Sequence, residues 1–197
     1  MDAAALVKHR AILQKKNIRI IGIDSDPGYI EAARFHIGAA SIENCVRVYH
    51  QDVYHMNDLQ GQVVLPHGNQ VGFHSQKDDV KFDAILFSGT FAVLPQKIEA
   101  ITLLLNDWGN PDNCKVMIAQ AYQRAVSPLA RIFKPLLKYL TTVDHGDLIT
   151  EHESDKMIAK INKKCNLKLV QHEIIDGSID NPLEAAYLTI FERDIKK

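Results

Sequence analysis

The sequence predicts an α/β fold: a doubly wound, mostly parallel Rossmann-like sheet with helices on both faces and an antiparallel C-terminal strand pair. Three observations predict it. Short, β-branched, nearly continuous apolar runs alternate with segments of helical periodicity, as parallel strands covered on both sides do. Acidic residues follow two of those runs, at Asp24 and Asp52. The last two apolar runs are separated by turn residues alone, so they can pair without a crossover helix.

Residues 4–16 hold strong helix formers, with Leu6, Ile12 and Leu13 among Lys8, Arg10, Lys15 and Lys16, and predict a helix. Ile18-Arg19-Ile20-Ile21-Gly22-Ile23 follows as a buried strand that leads to Asp24. Asp26 before Pro27 is an N-cap with proline in the first turn, and Ile30, Ala33, Phe35 and Ile37 carry a helix toward Gly38. Val46 to His50 reads as the next strand, and Phe82 to Phe87 as a buried one.

Leu94 to Leu105 reads as a helix with Leu94, Ile98, Ile101 and Leu105 on one face, a stripe that core packing explains. The turn-rich Trp108-Gly109-Asn110-Pro111-Asp112-Asn113 ends it, and a strand from Lys115 to Ala121 comes next. Ser127-Pro128 opens an amphipathic helix with Leu129, Ile132, Phe133, Leu136, Leu137 and Leu140 opposite Arg131, Lys134 and Lys138, kinked at Pro135. Thr150 and Glu153 have capping-box spacing ahead of Met157, Ile158 and Ile161. Strands from Leu167 to Ile174 and from Ala186 to Phe191 flank the turn-rich Asp176–Pro182 stretch. Residues 58–81, rich in Gly, Gln, His and Asp, are too long for an ordinary connection and read as a surface excursion.

A chain of 197 residues, 46% hydrophobic and 24% charged, suits one domain with its own core. Lys and Arg number 23 against 24 Asp and Glu, so nothing favours nucleic acid as a partner. Cys45, Cys114 and Cys165 are odd in number and widely spaced, which suggests neither a disulfide framework nor a zinc cluster, and fits an intracellular, cytoplasmic setting. His50, His55, His67 and His74 have no metal-ligand spacing, so no metal is expected. No run approaches the roughly 20 apolar residues of a bilayer span.

In open α/β sheets ligands sit outside the carboxyl ends of the strands, where an acid can accept from both hydroxyls of a ribose. Asp24 stands in that place, and Asp26 reads as a turn residue; the alternative is that both only shape the turn.

Ile20-Ile21-Gly22-Ile23-Asp24-Ser25-Asp26-Pro27, Val48-Tyr49-His50-Gln51-Asp52-Val53 and Phe82-Asp83-Ala84-Ile85-Leu86-Phe87-Ser88, in this order and spacing, resemble the class I S-adenosylmethionine-dependent methyltransferases. The resemblance covers Ile18 to the C-terminus and implies a single methyltransferase-like domain over residues 1–197 with S-adenosylmethionine as cofactor. It implies that Asp24, with Ser25 beside it, binds the ribose. It further implies that Asp52 accepts from the adenine amino group, that Val53 supplies a backbone amide, and that Ser88 flanks the methionine portion. Helix capping is the alternative role for Asp52. Ser88-Gly89-Thr90-Phe91 stands where the amide- and adenine-nitrogen methylators of this family carry Asn-Pro-Pro-Tyr. A small-molecule or protein acceptor is therefore expected. His145, in Val143-Asp144-His145-Gly146-Asp147, is the candidate base for deprotonating it, a surface histidine being the alternative.

The glycine loop that lets a nucleotide approach backbone precedes such an acid by about 20 residues. Counting back from Asp24 reaches Ala4 or earlier, so the domain is expected to be N-terminally incomplete, lacking that loop and the strand before it. A sheet without a central strand exposes two edges, so either a lost N-terminal segment, which is the simplest explanation, or a partner chain or homo-oligomer is expected to complete it. Two further readings stand beside the enzyme: a non-catalytic subunit that keeps the fold for assembly, and a nicotinamide-dependent oxidoreductase, against which the antiparallel pair argues.

Overall fold

The computed structural model describes residues 9–59, 62–63, 80–124, 149–178 and 184–194. It divides into two compact units, Met1–Val80 and Lys81–Lys197. The Ser127–Leu140 helix, its Pro135 kink, His145 and most of the 58–81 excursion lie outside the described residues.

The first unit runs α1 (Arg10–Lys15), β1 (Ile20–Asp24), α2 (Pro27–Ala39), β2 (Val46–His50) and a 3-10 helix (Val53–Leu59). The predicted strand starts two residues late. Asn17 has a left-handed φ of 51°, which turns the chain after α1, and the Ile18 amide is spent on the Leu13 carbonyl at 2.9 Å. The β1 and β2 strands are parallel, with Ile20 opposite Val46 and Asp24 opposite His50. Gly22 permits that approach, since a Cβ there would stand 3.0 Å from Val48 Cγ1. Leu13, Ile37, Ala40, Ile42, Cys45 and Val46 form the core of this unit. In α2, Ile30 and Ile37 lie two turns apart and are buried, whereas Phe35 falls on another face and is 73% exposed.

The second unit runs β3 (Ala84–Ser88), α3 (Lys97–Asp107), β4 (Lys115–Gln123), α4 (Glu151–Cys165), β5 (Leu167–Ile174) and β6 (Glu184–Arg193). Its sheet has the order β3-β4-β6-β5. The β3 and β4 strands are parallel, whereas β6 is antiparallel to both β4 and β5. Parallel pairing thus gives way to antiparallel pairing at the C-terminal end, as the turn-rich last connection predicted. Phe82 takes part only in an isolated bridge to Gly109, so the regular ladder begins at Ala84.

One face of this sheet carries the buried Ile85, Phe87, Val116, Ile118, Ala185 and Phe191. Ala100, Ile101, Leu104 and Leu105 of α3, and Ile158 and Ile161 of α4, are buried as well, and α4 packs against α3, β4 and β5. The capping box at Thr150 is formed: its amide donates to Glu153 Oε2 at 2.9 Å and its hydroxyl accepts from the Glu153 amide at 3.2 Å. No helix among the described residues is long and apolar enough to cross a membrane.

Candidate functional site

Asp24 is the last residue of β1, where the parallel ladder ends and the chain must turn into α2. Its Oδ1 accepts from the Asp26 amide at 2.9 Å. Asp26 in turn is the N-cap of α2, accepting from the Gly28 amide at 2.7 Å, with Pro27 in the first turn. Asp24 therefore uses one carboxylate oxygen to shape the turn, and its Oδ2 makes no hydrogen bond among the described residues.

The main chain around that carboxylate is tied to the end of β2 from two consecutive residues. The Gln51 amide donates to the Asp24 carbonyl at 2.9 Å, and His50 Nε2 lies 3.0 Å from the Ser25 carbonyl. In the sequence alone, His50 stands out only as a metal-ligand candidate without the spacing for one. The signal for its other use lay in the register, since two parallel strands ending together put His50 level with Asp24.

Asp52 follows β2 and opens the 3-10 helix, its Oδ1 accepting from the Tyr54 amide at 2.9 Å. Its Oδ2 lies 3.9 Å from His55 Nδ1, with both side chains about half exposed or more, so the pair holds little energy. As the first residue of that helix, Val53 has a backbone N–H with no intrahelical acceptor. Capping thus draws on Asp52 Oδ1 and leaves the Val53 amide outside the intrahelical bonds.

In the second unit Ser88 ends β3, opposite Ala119, and is half-buried. Gly89 then adopts φ +70°, the left-handed conformation that glycine enters without strain, and donates its amide to the Ala119 carbonyl at 2.8 Å. Phe91 turns back into the core edge-on to Phe87, with ring centroids 5.3 Å apart. Gln120 Oε1 accepts from the Ala92 amide at 3.1 Å, which ties the loop after Ser88 to β4. No sequence pattern marks Gln120 for this tie.

One register position beyond Ser88 and Ala119, Tyr187 of β6 stands opposite Gln120. Its hydroxyl donates to Glu151 Oε1 at 3.0 Å, and its ring stacks on His172 at a centroid distance of 4.8 Å. Burial raises the Tyr187 pKa, and the hydrogen bond and charge of Glu151 raise it further. Burial pushes Tyr122, tilted against Tyr187, up to about 12, opposed by a hydrogen bond with Thr189. His172 is pushed down by burial, against the opposing charge of Asp155. A groove between α3 and α4, lined by Ile98, Leu103, Ile149 and Met157 among others, contains none of the predicted site residues. Among the described residues, no group of three or more His, Cys, Asp and Glu could hold a metal ion.

No protein-family model matches the sequence, and no curated protein matches it. Solved structures do. An O-methyltransferase family protein from Burkholderia thailandensis is similar over 91% of this chain and 44% of its own, at 14% identity and a TM-score of 0.53. The N,N-8-amino-8-demethyl-D-riboflavin dimethyltransferase of Streptomyces davawensis is similar over 93% of this chain and 45% of its own, at 12% identity and a TM-score of 0.52. This chain has the class I methyltransferase fold. It spans under half the length of those two proteins. The [4+2]-cyclase SpnF is similar at a TM-score of 0.58 and 10% identity, over 91% of this chain and 68% of its own. At such identities the likeness is one of fold, and the reaction must be argued from the residues.

Proposed function

We propose that this methyltransferase fold binds S-adenosylmethionine and transfers its methyl group to a small-molecule or protein acceptor. The observation that carries the reading is the Asp24 carboxylate, fixed at the carboxyl end of a parallel strand by the Asp26 amide, with Oδ2 left unbonded among the described residues. A carboxylate oriented in this way accepts from the hydroxyls of a ribose. Ser25 flanks it. Asp52 accepts from the adenine amino group while the Val53 amide donates to the ring. Asp52 retains an oxygen for this role after bonding Tyr54.

When bound, the sulfonium supplies an electrophilic methyl group. The residues of the chain bind and orient, and alignment with an attacking atom supplies much of such a rate. His145 is the proposed base that takes the acceptor's proton. The three described cysteines are all free thiols, which supports a reducing, intracellular setting.

A second reading is a non-catalytic subunit completed by a partner strand. It is favoured by β1 and β3, each of which has one strand neighbour among the described residues, and by Leu86 of β3, 44% exposed. Titration of the chain with S-adenosylhomocysteine in a calorimeter separates the two. Binding that Asp24→Ala abolishes supports the enzyme. A wild-type chain that stays inert, yet sediments as an oligomer or complex, supports the subunit.

A further inference from the structure

We infer that His50 is the positioning residue for the Asp24 carboxylate, holding it ready for a vicinal diol by clamping the peptide that follows it. The inference rests on the ribose reading of Asp24 above. At the shared end of β1 and β2, consecutive carbonyls receive hydrogen bonds from consecutive residues: Asp24 O from the Gln51 amide at 2.9 Å, and Ser25 O from His50 Nε2 at 3.0 Å. The first bond continues the parallel ladder. The second does not belong to it, because Ser25 lies beyond the strand and its carbonyl is met by a side chain.

The peptide whose carbonyl His50 holds is Ser25–Asp26, and its amide is the one that donates to Asp24 Oδ1. His50 therefore grips one side of a peptide plane whose other side orients the carboxylate. A planar peptide transmits that grip rigidly. Asp26 then anchors the far end of the turn through the Gly28 amide at 2.7 Å. Without His50, rotation of this peptide would release Asp24 Oδ1 and let the carboxylate turn on its own χ torsions, and ordering it again on ligand binding would weaken affinity.

A carbonyl can only accept, so this bond requires the hydrogen on Nε2. His50 acts on Asp24 through the Ser25–Asp26 peptide and needs no contact with the diol. Glutamine places an amide donor at comparable reach and should replace it, whereas alanine cannot.

The test compares wild type, His50→Ala and His50→Gln in three measurements on the full chain. Imidazole nitrogen NMR should show His50 with hydrogen on Nε2. Amide hydrogen exchange at Asp26 should be faster in His50→Ala and close to wild type in His50→Gln. Affinity for S-adenosylhomocysteine should fall about fivefold in the alanine variant, the order expected for one lost hydrogen bond, and recover in the glutamine variant. An Nδ1–H tautomer, unchanged exchange at Asp26, or equal weakening by both substitutions overturns the inference. If the wild-type chain binds no S-adenosylhomocysteine, the ribose reading falls on that result. The tautomer and exchange measurements then still decide whether His50 positions the turn.

Discussion

His172 Nδ1 and the Thr189 hydroxyl meet at 2.8 Å across the neighbouring strands β5 and β6, joining a half-buried imidazole to a fully buried hydroxyl. The ring also stacks on Tyr187 at a centroid distance of 4.8 Å.

Burial depresses the His172 pKa below its ordinary 6.5, with Asp155 opposing. The folded chain thus resists a proton that the unfolded chain accepts. The stabilisation is present above the unfolded value and is lost as pH falls through the folded one. Urea midpoints measured downward from pH 6.5 should decline more steeply for wild type than for His172→Phe, which keeps a stacking ring and removes the titration. Equal slopes would show that His172 plays no part in the acid limb.

Tyr122 gives the opposite limb. Its pKa is raised from 10.0 to about 12 by burial, so the neutral phenol is the form the fold holds. The linked stability is complete below pH 10 and is lost as pH rises through about 12. A Tyr122→Phe variant should flatten the alkaline decline of stability. In an ultraviolet titration of wild type, the Tyr122 phenol should ionise well after the exposed ones, and the late absorbance change should shrink by one phenol in the variant.

Much of this fold is legible in the sequence because its signals are local. Val46 to His50 and Leu167 to Ile174 are strands over the expected residues, and the Asp26–Pro27 and Thr150–Glu153 patterns each set the start of a helix. Local patterns misjudged positions that long-range contacts decide. Ile18 has strand propensity but is diverted by the turn at Asn17, and Phe82 is apolar yet forms an isolated bridge to Gly109, with its ring stacked on Trp108, in place of a strand position. Leu94 lies on the expected stripe, although α3 starts at Lys97, beyond Pro95.

The candidate site was legible to the same depth. The acids at strand ends could be read from pattern, whereas the ties from His50 to Ser25 and from Gln120 to Ala92 depend on which strands lie side by side. Spacing along the chain carries no record of a partner 25 or 28 residues away.

The capping box can be weighed separately from the core. Thr150 accepts from the Glu153 amide and receives the Glu153 carboxylate on its own amide, so both partners satisfy donors that the first turn of α4 leaves open. Thr150→Ala should cost about 1 kcal/mol and Thr150→Ser much less, read as a shift in urea midpoint with unchanged slope. A loss in Thr150→Ser as large as that in the alanine variant would mean that the threonine methyl group, and not the cap, carries the effect.

Asp24 and Asp26 stand two residues apart, and each accepts a backbone amide, yet their roles should separate on substitution. Asp26 spends its oxygen on the Gly28 amide at the start of α2, so Asp26→Ala should lower stability by about 1 kcal/mol, the usual cost of a lost N-cap. It keeps the Asp26 amide as donor to Asp24, and affinity for S-adenosylhomocysteine should change little. Asp24→Asn retains an oxygen for that amide, so the turn and the stability should persist. It exchanges a carboxylate oxygen for an NH₂ group, which cannot accept from a hydroxyl, and binding should fall at least tenfold, given the greater strength of charge-assisted bonds. Thermal melts and calorimetry on the two variants should therefore show opposite patterns, with stability lost in one and affinity in the other. If both variants lost only stability, both acids would be turn residues and the ribose reading would fail.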